Sequence, residues 1–127
     1  MYKLEVIDQN LRIFGLAWLG KVSPEEVQEV NDKLASYLTE LNIDEFDLLV
    51  DMSEITVLLP ATQKEIVKHQ EWLLQNGMQR AAVVVNSSIA KLQLKRTARE
   101  SNHAKEFHFD TVKQALGFLK EVQTLKI

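Results

Sequence analysis

The stretch FDLLVDMSEITVLLPATQKEI, Phe46 to Ile66, decides the fold. Its opening, FDLLVDM, is a short and nearly continuous apolar run, the pattern of a strand covered on both faces rather than one facing water. Its close starts a helix, because Pro60 needs no amide donor at a first helical position and Ala61 favours helix. The helix is expected from about Pro60 to Gln75, with Ile66, Val67, Leu73 and Leu74 inward and Asn76-Gly77 as its stop signal. His69 falls near that inward face, where a partly buried, hydrogen-bonded histidine is expected. Next comes RAAVVVN, Arg80 to Asn86, a second covered strand.

Upstream, Ser23 is a capping residue, Pro24 fits the first helical position, and Glu26 stands three beyond the serine as a capping box demands. Val27, Val30, Leu34, Tyr37, Leu38 and Leu41 then recur at steps of three and four, which makes one buried stripe and leaves the acids outside. Before that helix, YKLEVI and LRIFGLAWL flank DQN, whose Asp8 and Asn10 form turns, so an N-terminal β-hairpin is predicted. Phe14, Leu16 and Trp18 share one of its faces. Downstream, SSIAKLQLKRTARESN predicts a helix capped by Ser87 or Ser88, and KEFHF a short strand with Phe107 and Phe109 on one side. Asp110 is expected to cap a last helix with Val112, Ala115, Leu116, Leu119 and Val122 on its core face. This alternation predicts an α/β fold: one mixed sheet of about five strands, an N-terminal β-hairpin and about four helices, in one domain over residues 1–127.

Composition narrows the function classes. With 46% apolar and 26% charged residues, the chain has the balance of a soluble globular domain. No apolar run approaches the roughly 20 residues of a membrane-spanning helix, and MYKLEVIDQN lacks the layout of a signal peptide, which favours the cytoplasm. The absence of cysteine excludes disulfides, thiolate metal sites and a cysteine nucleophile. A net charge of −3 argues against a general nucleic-acid binder. Charge is uneven along the chain: acids from Glu25 to Glu54 are opposed only by Lys33, whereas Lys91, Lys95, Arg96 and Arg99 form a later basic stretch. Solvated faces are the expected reading of both.

Residues suited to catalysis do not converge in the sequence. The glycines Gly15, Gly20, Gly77 and Gly117 fit neither a phosphate-cradling loop nor a dinucleotide turn, so no cofactor is expected. His69, His103 and His108 lack the one-turn spacing of a helical metal pair, so no metal is expected. No Gly-x-Ser-x-Gly elbow surrounds any serine, and Asp44, Glu45 and Asp47 read as solvated charges of a connecting segment. The chain is therefore expected not to be an enzyme. The strand-to-helix junction remains, with Ser53, Thr56 and Thr62 nearby; plain capping or turn roles are the expected reading of these hydroxyls.

Taken together, GKVSPEEV, FDLLVDMSEI, RAAVVVNSSIAKLQLKR and FDTVKQALGFL resemble the SpoIIAA-like branch of the STAS domain superfamily, named for sulfate transporters and anti-sigma-factor antagonists. The resemblance covers nearly the whole chain and rests on element order and apolar pattern. It implies a small mixed sheet with helices mainly to one side, and a non-enzymatic, protein-binding role in the bacterial cytoplasm. In the best-known members a strand ending in Asp-Leu-Ser is followed by Asp-Ser-Ser-Gly at a helix start, where a serine is phosphorylated. VDMS at Val50 to Ser53 looks like the first part, but Leu59, Pro60, Ala61 and Thr62 stand where the second would be. The switchable serine is missing, and Thr62 is the candidate phosphosite that would replace it, one or two positions late. With a protein-binding role implied, the apolar VLLPA between acidic Glu54 and basic Lys64 is the expected interface core, which places a protein-partner interface at Ser53, Glu54, Val57, Leu58, Leu59, Pro60, Thr62 and Gln63. The same branch is similar to CRAL-TRIO lipid-transfer domains, which implies as an alternative a carrier of an apolar small molecule or lipid, its cavity lined by Trp18, Trp72 and Leu58. A sheet edge or a helix face offers a route to a homodimer.

Overall fold

The computed structural model describes residues 1–55, 59–85 and 105–124. In chain order these form β1 (Tyr2–Asp8), β2 (Ile13–Leu19), α1 (Pro24–Glu40), β3 (Phe46–Glu54), α2 (Pro60–Gln75), β4 (Met78–Val84), β5 (Glu106–Phe109) and α3 (Val112–Thr124). The strands make one five-stranded sheet in sequence order, with β1 antiparallel to β2 and every later neighbour parallel. The mixed sheet and its N-terminal hairpin are therefore as expected. Among the described residues there are three helices; the helix predicted over SSIAKLQLKRTARESN lies outside them.

Local signals explain most element boundaries. In the hairpin turn, Asp8 Oδ1 accepts from the Leu11 amide at 3.0 Å, and Arg12 takes a positive φ of 56°. The α1 capping box is formed on both sides: Ser23 Oγ accepts from the Glu26 amide at 3.3 Å, and Glu26 Oε1 accepts from the Ser23 amide at 3.1 Å. The Glu26 carboxyl is held below its usual range, first by the Met1 ammonium and then by that Ser23 amide. α3 departs from expectation, because Thr111 rather than Asp110 is its cap: Thr111 Oγ1 accepts from the Gln114 amide at 3.2 Å. Asp110 instead donates its backbone N–H to Gln114 Oε1.

Both faces of the sheet are covered. Alternate strand residues point to opposite sides, so Phe14, Leu16, Trp18, Leu48, Val50 and Val83 share one core with Val27, Val30 and Leu34 of α1 and Ile66 and Leu73 of α2. Ile13, Leu49, Ala82 and Val84 face the other way, against Ala115 and Leu119 of α3. Each fully buried aliphatic side chain of this kind contributes about 1.5–3 kcal/mol relative to exposure. Successive parallel strands step the same way across the sheet, and right-handed crossovers that do so land on one face. α1 and α2 share a face accordingly, while α3 takes the opposite one. Leu48, Leu49 and Val50 of β3 are apolar without alternation for this reason. Phe107 and Phe109 both meet Phe118 of α3, with ring centroids 4.9 and 5.2 Å apart.

The turn from α2 into β4 has room only for glycine. Gly77 has a φ of +104°, and a Cβ added there would lie 1.9 Å from the Asp44 carbonyl oxygen. Gly77→Ala should therefore lower unfolding free energy by about 2 kcal/mol or more, read as a reduced urea midpoint at unchanged slope.

Candidate functional site

The β3–α2 junction lies at the carboxyl ends of the parallel strands, the edge of an open α/β sheet where binding sites form. β3 ends at Glu54, and Ile55 turns back into the core, its amide donating to the Met52 carbonyl at 3.1 Å. Val57 and Leu58, placed in the interface by the sequence, lie outside the described residues. The chain resumes at Leu59, whose extended φ and ψ of −69° and 151° make it the N-cap of α2 without a side-chain capping bond. Pro60 follows at the first helical position. Leu59 is 47% exposed, and Pro60 and Ala61 are exposed beside it. Glu54 on one side and Lys64 on the other are exposed charges.

Thr62 corrects the expectation built on it. Its side chain is buried at 2% exposure, and Oγ1 donates to the Val22 carbonyl oxygen at 2.8 Å, tying the first turn of α2 to the segment before α1. The helix turn aims it inward, so it neither faces a partner nor offers its hydroxyl to solvent. Ser53 is half-buried; its hydroxyl donates to Asp51 Oδ1 at 2.7 Å, and its amide donates to the same oxygen at 3.0 Å. Gln63 is half-buried. The exposed part of the expected interface among the described residues is thus Glu54, Leu59 and Pro60, extended by Ala61 and Lys64.

The inward face of α2 is more polar than its sequence suggests. Thr62, His69 and Gln70 are buried with Ile66 and Leu73, while Val67 and Leu74 are half-buried. His69 Nδ1 meets Asn31 Oδ1 of α1 at 2.5 Å, and its ring stands edge-on to Trp18 at 6.1 Å. Gln70 Nε2 donates to Glu106 Oε1 of β5 at 3.4 Å, and Glu106 Oε2 meets His108 Nε2 at 3.1 Å. The gap between these groups, lined by Trp18, Met52, His69, Gln70 and Glu106, has a volume of about 30 Å³. That space suits a single water rather than an acyl chain. Trp18 lines it at 3% exposure, whereas Trp72 is half-buried against the same core and does not line this gap.

At the opposite end of the strands lies a polar arrangement that the sequence reading missed. Asp47 is not a solvated loop charge: it is 1% exposed on β3. Arg80 Nε donates to both its carboxylate oxygens, at 3.1 and 3.2 Å, and Arg80 Nη2 reaches Oδ2 at 3.1 Å. Gln123 Nε2 of α3 donates to Asp47 Oδ2 at 2.9 Å and to the Leu11 carbonyl at 2.7 Å. The signal was present, since an acid inside the covered run FDLLV must be paired if it is buried. The partners were not identifiable, because they lie 33 and 76 positions away.

Comparison with known proteins adds to this geometry. The family model described as SpoIIAA-like matches residues 13–120. No curated protein matches the chain. Among solved structures, the NMR structure of the protein TM1081 is similar in fold, with a TM-score of 0.61 at 12% identity over 94% of this chain and 89% of that one.

Two substitutions test these assignments. Thr62→Val keeps the shape but leaves the Val22 carbonyl without its donor, and should cost about 1–3 kcal/mol in chemical denaturation. Asp47→Asn leaves the Arg80 guanidinium without a counter-charge and should cost about 3 kcal/mol, whereas the double change Asp47→Leu with Arg80→Met should recover much of it. Losses from Asp47→Leu and Arg80→Met that simply add in the double variant would show that the pair is not coupled.

Proposed function

This chain belongs to the SpoIIAA-like family, and from that membership we infer that it is a regulatory protein-interaction module. We further propose that it is non-enzymatic and docks its partner through the corner where β3 passes into α2. The observation that carries this reading is the exposed apolar step Leu59-Pro60-Ala61, flanked by Glu54 and Lys64, on a helix whose first turn is anchored to the core by Thr62. An apolar centre with a charged rim is the usual composition of a specific protein interface. Proline at the helix start and a buried hydroxyl beneath it fix the first turn of α2, so docking requires little ordering of Leu59 to Ala61. The partner that fits is a protein with an apolar pocket for Leu59, bordered by a base opposite Glu54 and an acid opposite Lys64.

Leu59→Asp puts a charge at the centre of this surface without disturbing the core. Affinity-purified chain carrying it should lose partner capture by on the order of tenfold or more, with a thermal midpoint that does not fall, since aspartate at this N-cap position supplies a capping acceptor. Val112→Asp, an equally apolar and exposed position on α3 at 43% exposure, serves as the matched control and should capture normally. Undiminished capture by folded Leu59→Asp would remove the corner from the interface.

A further inference from the structure

We propose that β1 is a docking edge for a second copy of this chain, joined by antiparallel pairing about a two-fold axis at Leu4. Among the described residues β1 forms one margin of the sheet and pairs with β2 alone. The phase of that ladder settles which backbone groups remain available. Met1 and Leu19 exchange both bonds, with the Leu19 amide donating to Met1 O at 2.7 Å and the Met1 nitrogen donating to Leu19 O at 3.1 Å. Bonded pairs alternate along an antiparallel ladder, so Lys3 opposite Ala17 and Glu5 opposite Gly15 also turn their backbone groups toward β2. Tyr2, Leu4 and Val6 therefore turn their N–H and C=O groups outward.

The side chains on this edge match themselves. With the axis at Leu4, Leu4 meets the partner's Leu4 and Tyr2 meets the partner's Val6 as hydrogen-bonded pairs through those outward groups. Lys3 then faces the partner's Glu5, and Glu5 the partner's Lys3, in non-hydrogen-bonded positions, where cross-strand side chains approach most closely. Lys3 and Glu5 are exposed and make no ion pair within the described residues, so both charges are available. On the other face Tyr2, Leu4 and Val6 are half-buried members of the main core's border, and pairing would continue that apolar strip across the junction. Moving the axis by one residue, to Lys3 or to Glu5, stacks like charges on the axis instead. Edge strands that avoid pairing commonly carry charges that repel a second copy. Here the two charges have opposite sign and symmetric spacing, which attracts one.

This edge is separate from the β3–α2 corner, so its test does not depend on the partner proposed there. Sedimentation equilibrium of the full chain over a concentration series should show a monomer–dimer equilibrium. Lys3→Glu and Glu5→Lys should each weaken self-association by on the order of tenfold, because both symmetry-related pairs become like-charged. An equal mixture of the two single variants should recover association, since each supplies the charge the other lacks. The double variant Lys3→Glu with Glu5→Lys should also recover it. Unchanged circular dichroism melts would exclude misfolding as the cause. A wild-type chain that stays monomeric, or a dimer indifferent to both single reversals, would overturn the proposal.

Discussion

The buried carboxylate of Asp47 is the constraint on which the arrangement of this domain turns. A carboxylate at 1% exposure is tolerated only when its lone pairs are occupied, and here Arg80 from β4 and Gln123 from α3 occupy them. Its own amide donates to the Arg12 carbonyl at the end of the hairpin turn, and Gln123 also donates to Leu11. One residue at the start of the central strand therefore locates the hairpin, the next strand and the terminal helix at once. Apolar packing would accept small shifts of any of these elements, but this network has a single geometry in which every donor meets an acceptor. Its contribution to net stability is modest for its size, because both charges lose their hydration. Its contribution to register is larger.

A similar logic governs α2, whose buried face mixes apolar and polar groups. Ile66 and Leu73 would pack in several rotations, whereas Thr62 to Val22, His69 to Asn31 and Gln70 to Glu106 specify one. The helix is thereby fixed to the loop before α1, to α1 itself and to β5. The exposed Leu59-Pro60 step inherits this rigidity, which links interior hydrogen bonding to the surface the domain presents. The hydroxyl of Thr62 serves structure, closing the first turn of α2 onto the Val22 carbonyl.

The sequence displayed those features that have local causes. The capping box of Ser23 and Glu26, the proline start of α2, its Asn76-Gly77 stop and the hairpin turn at Asp8 each depend on neighbours within a few positions, and each formed where expected. The unbroken apolar runs of β3 and β4 correctly signalled strands covered on both faces. Features that depend on distant partners were hidden. Asp47 looked like a loop acid because Arg80 and Gln123 are far away in sequence, and Thr62 looked accessible because its acceptor, Val22, is 40 positions earlier. Asp110 and Thr111 are both good caps, and only the start of α3 at Val112 decides between them. Which helix covers which face was not legible in the same runs, because it depends on the crossovers rather than on the apolar pattern.

The span of the Asp47–Gln123 bond has a further consequence for how the chain is made. These residues are 76 positions apart, so during synthesis the hairpin, α1 and β3 leave the ribosome well before the α3 donor exists. Arg80 arrives earlier, but the second donor to Oδ2 and the link to Leu11 come only with Gln123. Without Gln123, Asp47 Oδ2 keeps only its Arg80 donors. The hydrogen bonds of the carboxylate can therefore be completed only when the segment that carries Ala115 and Leu119 is also at hand to cover the apolar surface beside it.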